Sequence, residues 1–192
     1  MGVVYCVTKT RASESRELNA SGHGEVVAQY CEIIGRALRL SSDEIKELGF
    51  IGRVHDVGKM FVPESVLNHP GTLTEREFAL LKVHPRLGAE ILATIPNGER
   101  LQKAIECHHE RFDGSGYPAG LRGEEIPHWA RILAVADAYA NLTTDRPLAP
   151  GKTSEQALAE LEKYSGTKYD GMLVRILARE LKAERSLPNL GD

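Results

Sequence analysis

Apolar residues recur at every third or fourth position through most of the chain, which is the spacing of amphipathic helices. The first two helices are predicted at Gly24–Leu40 and at about Asp43–Val57, because Ser41-Ser42-Asp43-Glu44 combines a helix stop with a new N-cap. Further helices are predicted at about 74–83, 87–95, 100–109, 129–143, 153–164 and 169–182. Alternating strands, internal repeats and low-complexity tracts are not evident, so the pattern predicts an all-α bundle.

Local signals interrupt this helical pattern at two places. Thr74 and Glu77 have the spacing of a capping box, in which each side chain bonds to the other residue's backbone N–H. Pro85 disfavours a helical conformation at His84 but suits the first turn of the helix that follows. The chain is therefore predicted to bend at His84, where a side chain can point into a cleft. A Gly/Pro-rich loop is predicted at Arg111–Pro127.

Size and composition limit the classes of protein that the chain can represent. It has 192 residues, 42% hydrophobic and 27% charged, with a net charge of -3, which favours one globular domain and provides no broad basic field for extended nucleic acids. We predict a lead-in segment at 1–18, a catalytic domain at 19–185 and a tail at 186–192. No run approaches the roughly 20 apolar residues of a membrane span.

The number and spacing of the cysteines argue against disulfide bonds and against a thiolate zinc site. The three cysteines, Cys6, Cys31 and Cys107, are odd in number and far apart, so neither a disulfide framework nor a paired thiolate site is expected. This usage fits a reducing cytoplasm.

Acidic residues inside apolar helices are the first sign of chemistry. Asp137 lies in an almost wholly apolar stretch, where an ionised carboxylate is unfavourable unless a cation accompanies it. A salt bridge to an arginine, or a cap on a neighbouring helix, would also explain Asp137. His55 and Asp56 are adjacent near the end of another apolar helix, with Lys59 roughly on the same side.

Histidines extend this set of candidate metal ligands. His108 and His109 are adjacent, and neutral imidazoles are common ligands of divalent ions. The nitrogen and oxygen donors exceed what one ion needs, and a carboxylate such as Asp56 can bridge two ions, so two divalent ions are expected. Iron or manganese is expected first, while nickel, cobalt and zinc also suit these donors. The candidate ligands are His23, His55, Asp56, His84, His108, His109 and Asp137. We interpret His69 and His128 as solvated.

Taken together, these motifs resemble the HD-GYP family of the HD metal-dependent phosphohydrolase superfamily. The resemblance runs from about His23 to Leu177 and implies an all-α HD-domain bundle with additional helices. It also implies hydrolysis of the bacterial messenger cyclic di-GMP to linear pGpG and often to GMP. The matching segments are His55-Asp56-Val57-Gly58-Lys59, His84-Pro85, the string from His108-His109-Glu110 to Gly116-Tyr117-Pro118, Ala136-Asp137 and Thr144-Asp145-Arg146-Pro147.

The resemblance also implies roles for individual residues. Asp56 and Lys59 are implied to be catalytic, and Lys59 to contact the scissile phosphate. One ion is implied to bind His23, His55, Asp56 and Asp137, and its neighbour to bind Asp56, His84, His108 and His109. The residues implied to bind substrate are Lys59, Arg111, Gly116, Tyr117 and Arg146. Asp113 is expected to fix its loop through turn hydrogen bonds. Some members bind a third ion through a Glu where this chain has Asn19, which again favours two ions.

Rival functions stay open at this point. The aromatic and basic residues that the family usually has after Arg-Pro are replaced here by Leu148-Ala149-Pro150-Gly151. This change favours a phosphohydrolase acting mainly on pGpG or another nucleotide. A receptor that binds cyclic di-GMP and signals to a protein partner is the rival from another class. The Gly116-Tyr117-Pro118 loop is a candidate docking surface for such a partner. Our leading hypothesis is a phosphodiesterase in which metal-activated water attacks cyclic di-GMP.

Overall fold

A computed structural model describes residues 22–95, 98–145 and 150–186. Within these ranges the chain forms nine α-helices and two short 3₁₀ helices, at Val57–Phe61 and Gly123–Glu125, and no β-strand. The α-helices are α1 (His23–Ala37), α2 (Ser42–Val54), α3 (Glu64–Leu67), α4 (Glu75–Leu81), α5 (His84–Leu92), α6 (Glu99–Glu106), α7 (His128–Thr143), α8 (Ser154–Lys163) and α9 (Gly171–Ser186). The predicted all-α class is confirmed.

Helices α1 and α2 form a tightly crossed hairpin. A capping box begins α2, because Glu44 N–H donates to Ser41 Oγ at 3.3 Å and Ser41 N–H donates to the Glu44 carboxylate at 3.0 Å. The helices can cross closely because Gly52 has no side chain, and a methyl group there would lie 2.6 Å from Ala28 Cα. This approach brings the first residue of α1, His23, near the C-terminal end of α2.

Helix α7 is the centre of the main core. It packs against α1, α2, α6, α8 and α9. Its apolar side chains are buried on nearly every face, as the sequence predicts for this stretch. The buried residues of α7 are Trp129, Ala130, Ile132, Leu133, Val135, Ala136, Tyr139 and Ala140. Asp137 is therefore held on a helix whose neighbours fix it from several directions.

A smaller apolar cluster supports the segment between α2 and α5. It consists of Val62, Val66, Leu67, Leu73 and Leu81, with Phe78 packed against it. The predicted capping box at Thr74 and Glu77 begins α4, and Pro85 lies in the first turn of α5 as predicted. The bend predicted at His84 lies instead at Lys82-Val83, and His84 is the first residue of α5. A methyl group on Gly58 would overlap the His84 carbonyl and lie 2.6 Å from Gly88 N, so the 3₁₀ helix contacts α5 through backbone atoms.

Several helix ends differ from the prediction, and two of them lie next to candidate ligands. Helix α2 ends at Val54 rather than Val57, and α6 ends at Glu106 rather than His109. The His55-Asp56 and His108-His109 pairs therefore lie just beyond helix ends. The segment between α2 and α4, where no helix is predicted, contains the 3₁₀ helix and α3.

The described helices are all too short or too polar to span a bilayer. The predicted lead-in 1–18 lies outside the described residues, as does almost all of the predicted tail. These domain boundaries stay predictions.

Candidate metal centre

The same kind of side-chain hydrogen bond positions three of the histidines. His55, His84 and His108 each lie shortly after the C-terminus of a helix, and each Nδ1 bonds to a carbonyl oxygen three residues earlier. The acceptors are, in that order, Gly52 at 2.8 Å, Leu81 at 2.7 Å and Ile105 at 2.6 Å. Carbonyls in the last turn of a helix lack intrahelical partners, so these bonds satisfy them. With Nδ1 bonded to a carbonyl, the Nε2 atom of each ring points into the cluster of carboxylates and imidazoles, where a metal ion would take the place of any proton that Nε2 carries.

The first group of candidate ligands surrounds one oxygen of Asp56. Asp56, His84, His108 and His109 offer ligand atoms that all lie within 4.8 Å of one another. His84 Nε2 is 3.3 Å from Asp56 Oδ1 and 3.2 Å from His109 Nε2. Asp56 Oδ1 and His108 Nε2 are buried, and neither has a hydrogen-bond partner of suitable geometry in the described part of the chain. Buried polar atoms are seldom left in this way, so their convergence indicates a cation site.

The second group surrounds the other oxygen of Asp56. His23, His55 and Asp56 also offer ligand atoms within 4.8 Å of one another. His55 Nε2 is 3.3 Å from Asp56 Oδ2. Asp137 Oδ1 adds a further donor, at 3.0 Å from His23 Nε2 and 3.6 Å from His55 Nε2. The two groups therefore share Asp56, whose oxygens face different neighbours.

The electrostatics of this cluster favour positive charge between its carboxylates. Burial alone would lower the pKa of His55, but the charges of Asp56 and Asp137 outweigh it and raise that pKa to about 9. Burial would likewise raise the pKa of Asp56, yet Lys59 and His55 hold it well below its usual range. Lys59 is 3% exposed, with Nζ 2.7 Å from Asp56 Oδ2. Both observations describe a pocket suited to cations.

The His108-His109 pair stays neutral in this environment. Burial, together with the neighbouring His55 and His84, lowers the pKa of His108 to about 3. The pKa of His109 is also well below its usual range, first because of burial and then because of His108. Neutral imidazole is the form that binds metal ions. The residues present therefore fit divalent metal ions.

The loop after His109 folds back over its own start. Asp113 Oδ1 accepts a hydrogen bond from Ser115 N–H at 2.9 Å, which agrees with the expectation that Asp113 fixes the loop through turn hydrogen bonds. A methyl group on Gly116 would lie 2.5 Å from Glu110 Cα, so this close approach requires glycine. The predicted Gly116-Tyr117 segment thus lies directly beside the candidate ligands.

The described structure does not test the substrate-binding roles predicted for two arginines. Arg111 is half-buried, and none of its described contacts joins the candidate ligands. Arg146 lies outside the described residues, as does Asn19. Their roles stay predictions. The structure does bring together all seven predicted metal ligands, along with Lys59.

Sequence reasoning gave no role to two residues, of which one contacts a candidate ligand and the other supports the loop after His109. Asn141 Nδ2 donates to Asp137 Oδ1 at 2.9 Å, and its position four residues after Asp137 on one helix is a signal that could have revealed it. Glu110 is 3% exposed, and its Oε1 accepts hydrogen bonds from Ala119 N–H at 2.6 Å and Gly120 N–H at 3.0 Å. The sequence gives no signal for these long-range partners.

A helical bundle that gathers histidines and aspartates from separate helices into two overlapping ligand groups defines a metal-binding domain of the HD type. Residues 9–173 match the family model described as HD domain. The chain belongs to the HD domain family, as the motifs predict.

Two curated relatives and one solved structure extend this comparison. The "Cyclic di-GMP phosphodiesterase response regulator RpfG" of Xanthomonas campestris pv. campestris is 40% identical over 171 residues, covering 88% of this chain and 45% of the relative. The "3'3'-cGAMP-specific phosphodiesterase 2" of Vibrio cholerae is 35% identical over 179 residues, covering 91% of this chain and 34% of the relative. This chain thus spans less than half the length of either relative.

The solved structure supports the fold. It is described as a cyclic GMP-AMP specific phosphodiesterase of V. cholerae and superposes with a TM-score of 0.70 at 21% identity. The match covers 94% of this chain and 49% of that structure.

Proposed function

We propose that this chain is a divalent-metal-dependent phosphodiesterase that hydrolyses cyclic di-GMP to pGpG and onward to GMP. The observation that carries the proposal is the sharing of Asp56 between two ligand groups, with each carboxylate oxygen facing a different group. The name of the Xanthomonas relative adds the substrate. Family membership adds the phosphohydrolase chemistry.

Two metal ions are assigned to the two groups. One would be held by His23, His55, Asp56 and Asp137, and the other by Asp56, His84, His108 and His109. Iron or manganese is the first choice, while nickel, cobalt and zinc suit the same donors. A bound pair of such ions lowers the pKa of water and offsets charge on the phosphoryl oxygens.

The protein's own residues preorganise this chemistry. The Nδ1 hydrogen bonds to helix carbonyls hold His55, His84 and His108 with Nε2 aimed into the cluster. Lys59 places a buried positive charge beside Asp56 and can donate to a phosphoryl oxygen of the substrate. Gly116 and Tyr117 border the same site, and Arg111 and Arg146 are proposed to contact the nucleotide.

The test combines metal analysis with product identification. We expect anaerobically purified protein, reconstituted with Mn²⁺ or Fe²⁺, to bind two ions per chain and to convert cyclic di-GMP to pGpG. Asp56→Asn should remove bound metal and turnover together while the far-UV circular dichroism stays helical. Asp43→Asn is the matched control, because Asp43 is exposed and pairs with Lys46 at the surface, away from the candidate ligands. Full metal content and turnover in Asp56→Asn would refute the assignment.

A second candidate substrate is 3'3'-cGAMP. The Vibrio relative named for that substrate is 35% identical to this chain, against 40% for the cyclic di-GMP relative. The measurement is kcat/KM for cyclic di-GMP, 3'3'-cGAMP and pGpG under identical metal loading. The highest value for pGpG would favour the linear-dinucleotide phosphohydrolase instead. Tight binding of cyclic di-GMP without turnover by the two-metal protein would favour the receptor.

Two further predictions accompany this function. The predicted cytoplasmic location is based on the cysteines, which are few and widely spaced in the sequence, and Cys31 and Cys107 are free and buried in the structure. Docking of a signalling protein on the Gly116-Tyr117-Pro118 loop is compatible with the exposure of Pro118. Both stay predictions.

A further inference from the structure

His109 is held differently from the other three histidines of its sequence motifs. His55, His84 and His108 each have Nδ1 bonded to a helix carbonyl, whereas His109 makes no such bond to the described residues. Its imidazole instead stacks on the ring of Tyr117, with centroids 4.9 Å apart and an interplanar angle of 28°. The Tyr117 N–H also donates to the His109 carbonyl at 3.2 Å.

We propose that Tyr117 is a positioning residue for His109, that its ring replaces the missing carbonyl tether, and that the Glu110 carboxylate holds Tyr117 in place. The inference rests on the proposed two-metal centre. It gives Tyr117 a role in metal binding in addition to its proposed place beside the substrate.

Glu110 fixes the loop on the far side of Tyr117. It directly follows His109, and its carboxylate accepts hydrogen bonds from the backbone of Ala119 and Gly120, beyond Tyr117. Hydrogen bonds to an ionised carboxylate are roughly twice as strong as neutral ones. Tyr117 is therefore held at its own N–H by His109 and after Pro118 by Glu110. One buried acid thus couples the ligand to the ring that orients it.

Aromatic and cationic neighbours hold the Tyr117 ring from α4. Phe78 meets it edge to face with centroids 6.2 Å apart, and Lys82 Nζ lies 5.2 Å from its centroid. Helix α4 also ends at Leu81, whose carbonyl holds His84. The ring that orients His109 therefore packs against the helix that orients His84. Helix α4 therefore helps to orient both His84 and His109, which are proposed to bind the same ion.

The test follows the binding of Co²⁺ to metal-free protein by visible absorption. His109→Ala identifies the ion that depends on this ligand. We expect Tyr117→Leu to weaken the binding of that same ion by roughly 10- to 100-fold, the usual effect of losing a partner that orients a metal ligand. The affinity for the other ion should stay unchanged. Tyr117→Phe retains the ring and should bind both ions as the wild type does.

Variants at Glu110 test the second half of the proposal. Glu110→Gln keeps an oxygen acceptor for the two backbone N–H groups and should resemble the wild type more closely than Glu110→Ala, which should reproduce Tyr117→Leu. The matched control is Tyr30→Leu, which removes a half-buried tyrosine that contacts Tyr139 at 4.6 Å between centroids and touches no proposed ligand. This control should leave both Co²⁺ affinities unchanged.

The outcomes separate this inference from the proposed function. Wild-type affinity for both ions in Tyr117→Leu would overturn the positioning role. An equal loss of affinity for both ions, together with a lower unfolding temperature of the metal-free protein, would also overturn the positioning role, because Tyr117 would then act only on folding. Wild-type protein that binds fewer than two Co²⁺ ions would instead overturn the two-metal centre, and the inference with it.

Discussion

Lys59 and Asp56 form a buried ion pair at the centre of the candidate site, with Nζ 2.7 Å from Oδ2. The lysine has two possible uses at this place. It offsets the Asp56 charge in the protein alone, and it can donate to substrate once metal ions offset that charge. A substitution that removes the ammonium but keeps the length of the side chain distinguishes these uses.

Lys59→Met should therefore affect the metal-free and metal-loaded proteins differently. We expect the free energy of unfolding of the metal-free protein to fall by about 1.5–3 kcal/mol, the usual range for a hydrogen bond to a charged group. The loss should be smaller with Mn²⁺ bound, whereas kcat should fall roughly 100-fold through loss of charge stabilisation. Urea unfolding and steady-state kinetics measure these quantities.

The control for this prediction is Lys46→Met, because Lys46 pairs with Asp43 on an exposed surface. Such pairs contribute little, so both stability and kcat should change only slightly. An unchanged kcat in Lys59→Met would exclude the lysine from catalysis.

At the same scale, the sequence revealed the residues whose chemistry conflicts with their surroundings. Asp137 was found because a carboxylate in an apolar helix needs a compensating partner, and its carboxylate does contact His23. Asn141 was missed although its partner Asp137 lies one helical turn away, and Glu110 was named only as part of a motif, with no role of its own. The partners of Glu110 are Ala119 and Gly120, across the loop that follows it, and helical periodicity does not encode how this loop folds.

At the scale of elements, periodicity predicted every long helix, but not where the ligand-bearing ones end. Helix α2 ends at Val54 and α6 at Glu106, each without a glycine stop signal immediately after. The histidine that follows completes the last turn instead, by bonding to a carbonyl within it. A helix end defined by such a side-chain bond looks, in sequence, like continued helix.

Gly58 sets how closely the 3₁₀ helix approaches α5. Gly58→Ala would drive a methyl group into the His84 backbone, which cannot move aside as a flexible side chain would. We expect the free energy of unfolding to fall by about 1–3 kcal/mol, the usual range for overpacking. The methyl group should also move Asp56 away from His84 and so weaken binding of the proposed metal ion that both residues contact. Denaturant unfolding and elemental analysis measure the two effects.

Gly71→Ala is the matched control for Gly58→Ala. A methyl group at Gly71 would meet only the His69 ring, at an ordinary distance of 3.6 Å. Stability should stay the same or rise slightly, since alanine restricts the unfolded chain. Equal behaviour of the two alanine variants would contradict the backbone contact at Gly58.

At the scale of the whole molecule, the metal centre and the main apolar core are built from different side chains of the same helices. The core joins α1, α2, α5, α6, α7, α8 and α9 through side chains that include Ile34, Leu48, Leu133 and Leu177, all four fully buried. The candidate ligands lie at helix ends or on the remaining face of α7. Removal of metal should therefore leave the bundle folded but less stable, because ligand binding stabilises only the native state.

Chelation by excess EDTA is expected to lower the unfolding temperature without loss of helical circular dichroism. An ion present at 100 times its dissociation constant contributes about 2.7 kcal/mol, which for a chain of this size corresponds to roughly 5–10 °C for each ion. Differential scanning calorimetry with and without Mn²⁺ measures the shift. Asp56→Asn is the internal control, since a variant that cannot share its carboxylate between two ions should show little change on chelation. Collapse of the helical signal when metal is removed would mean that the ions, rather than the apolar core, hold the bundle together.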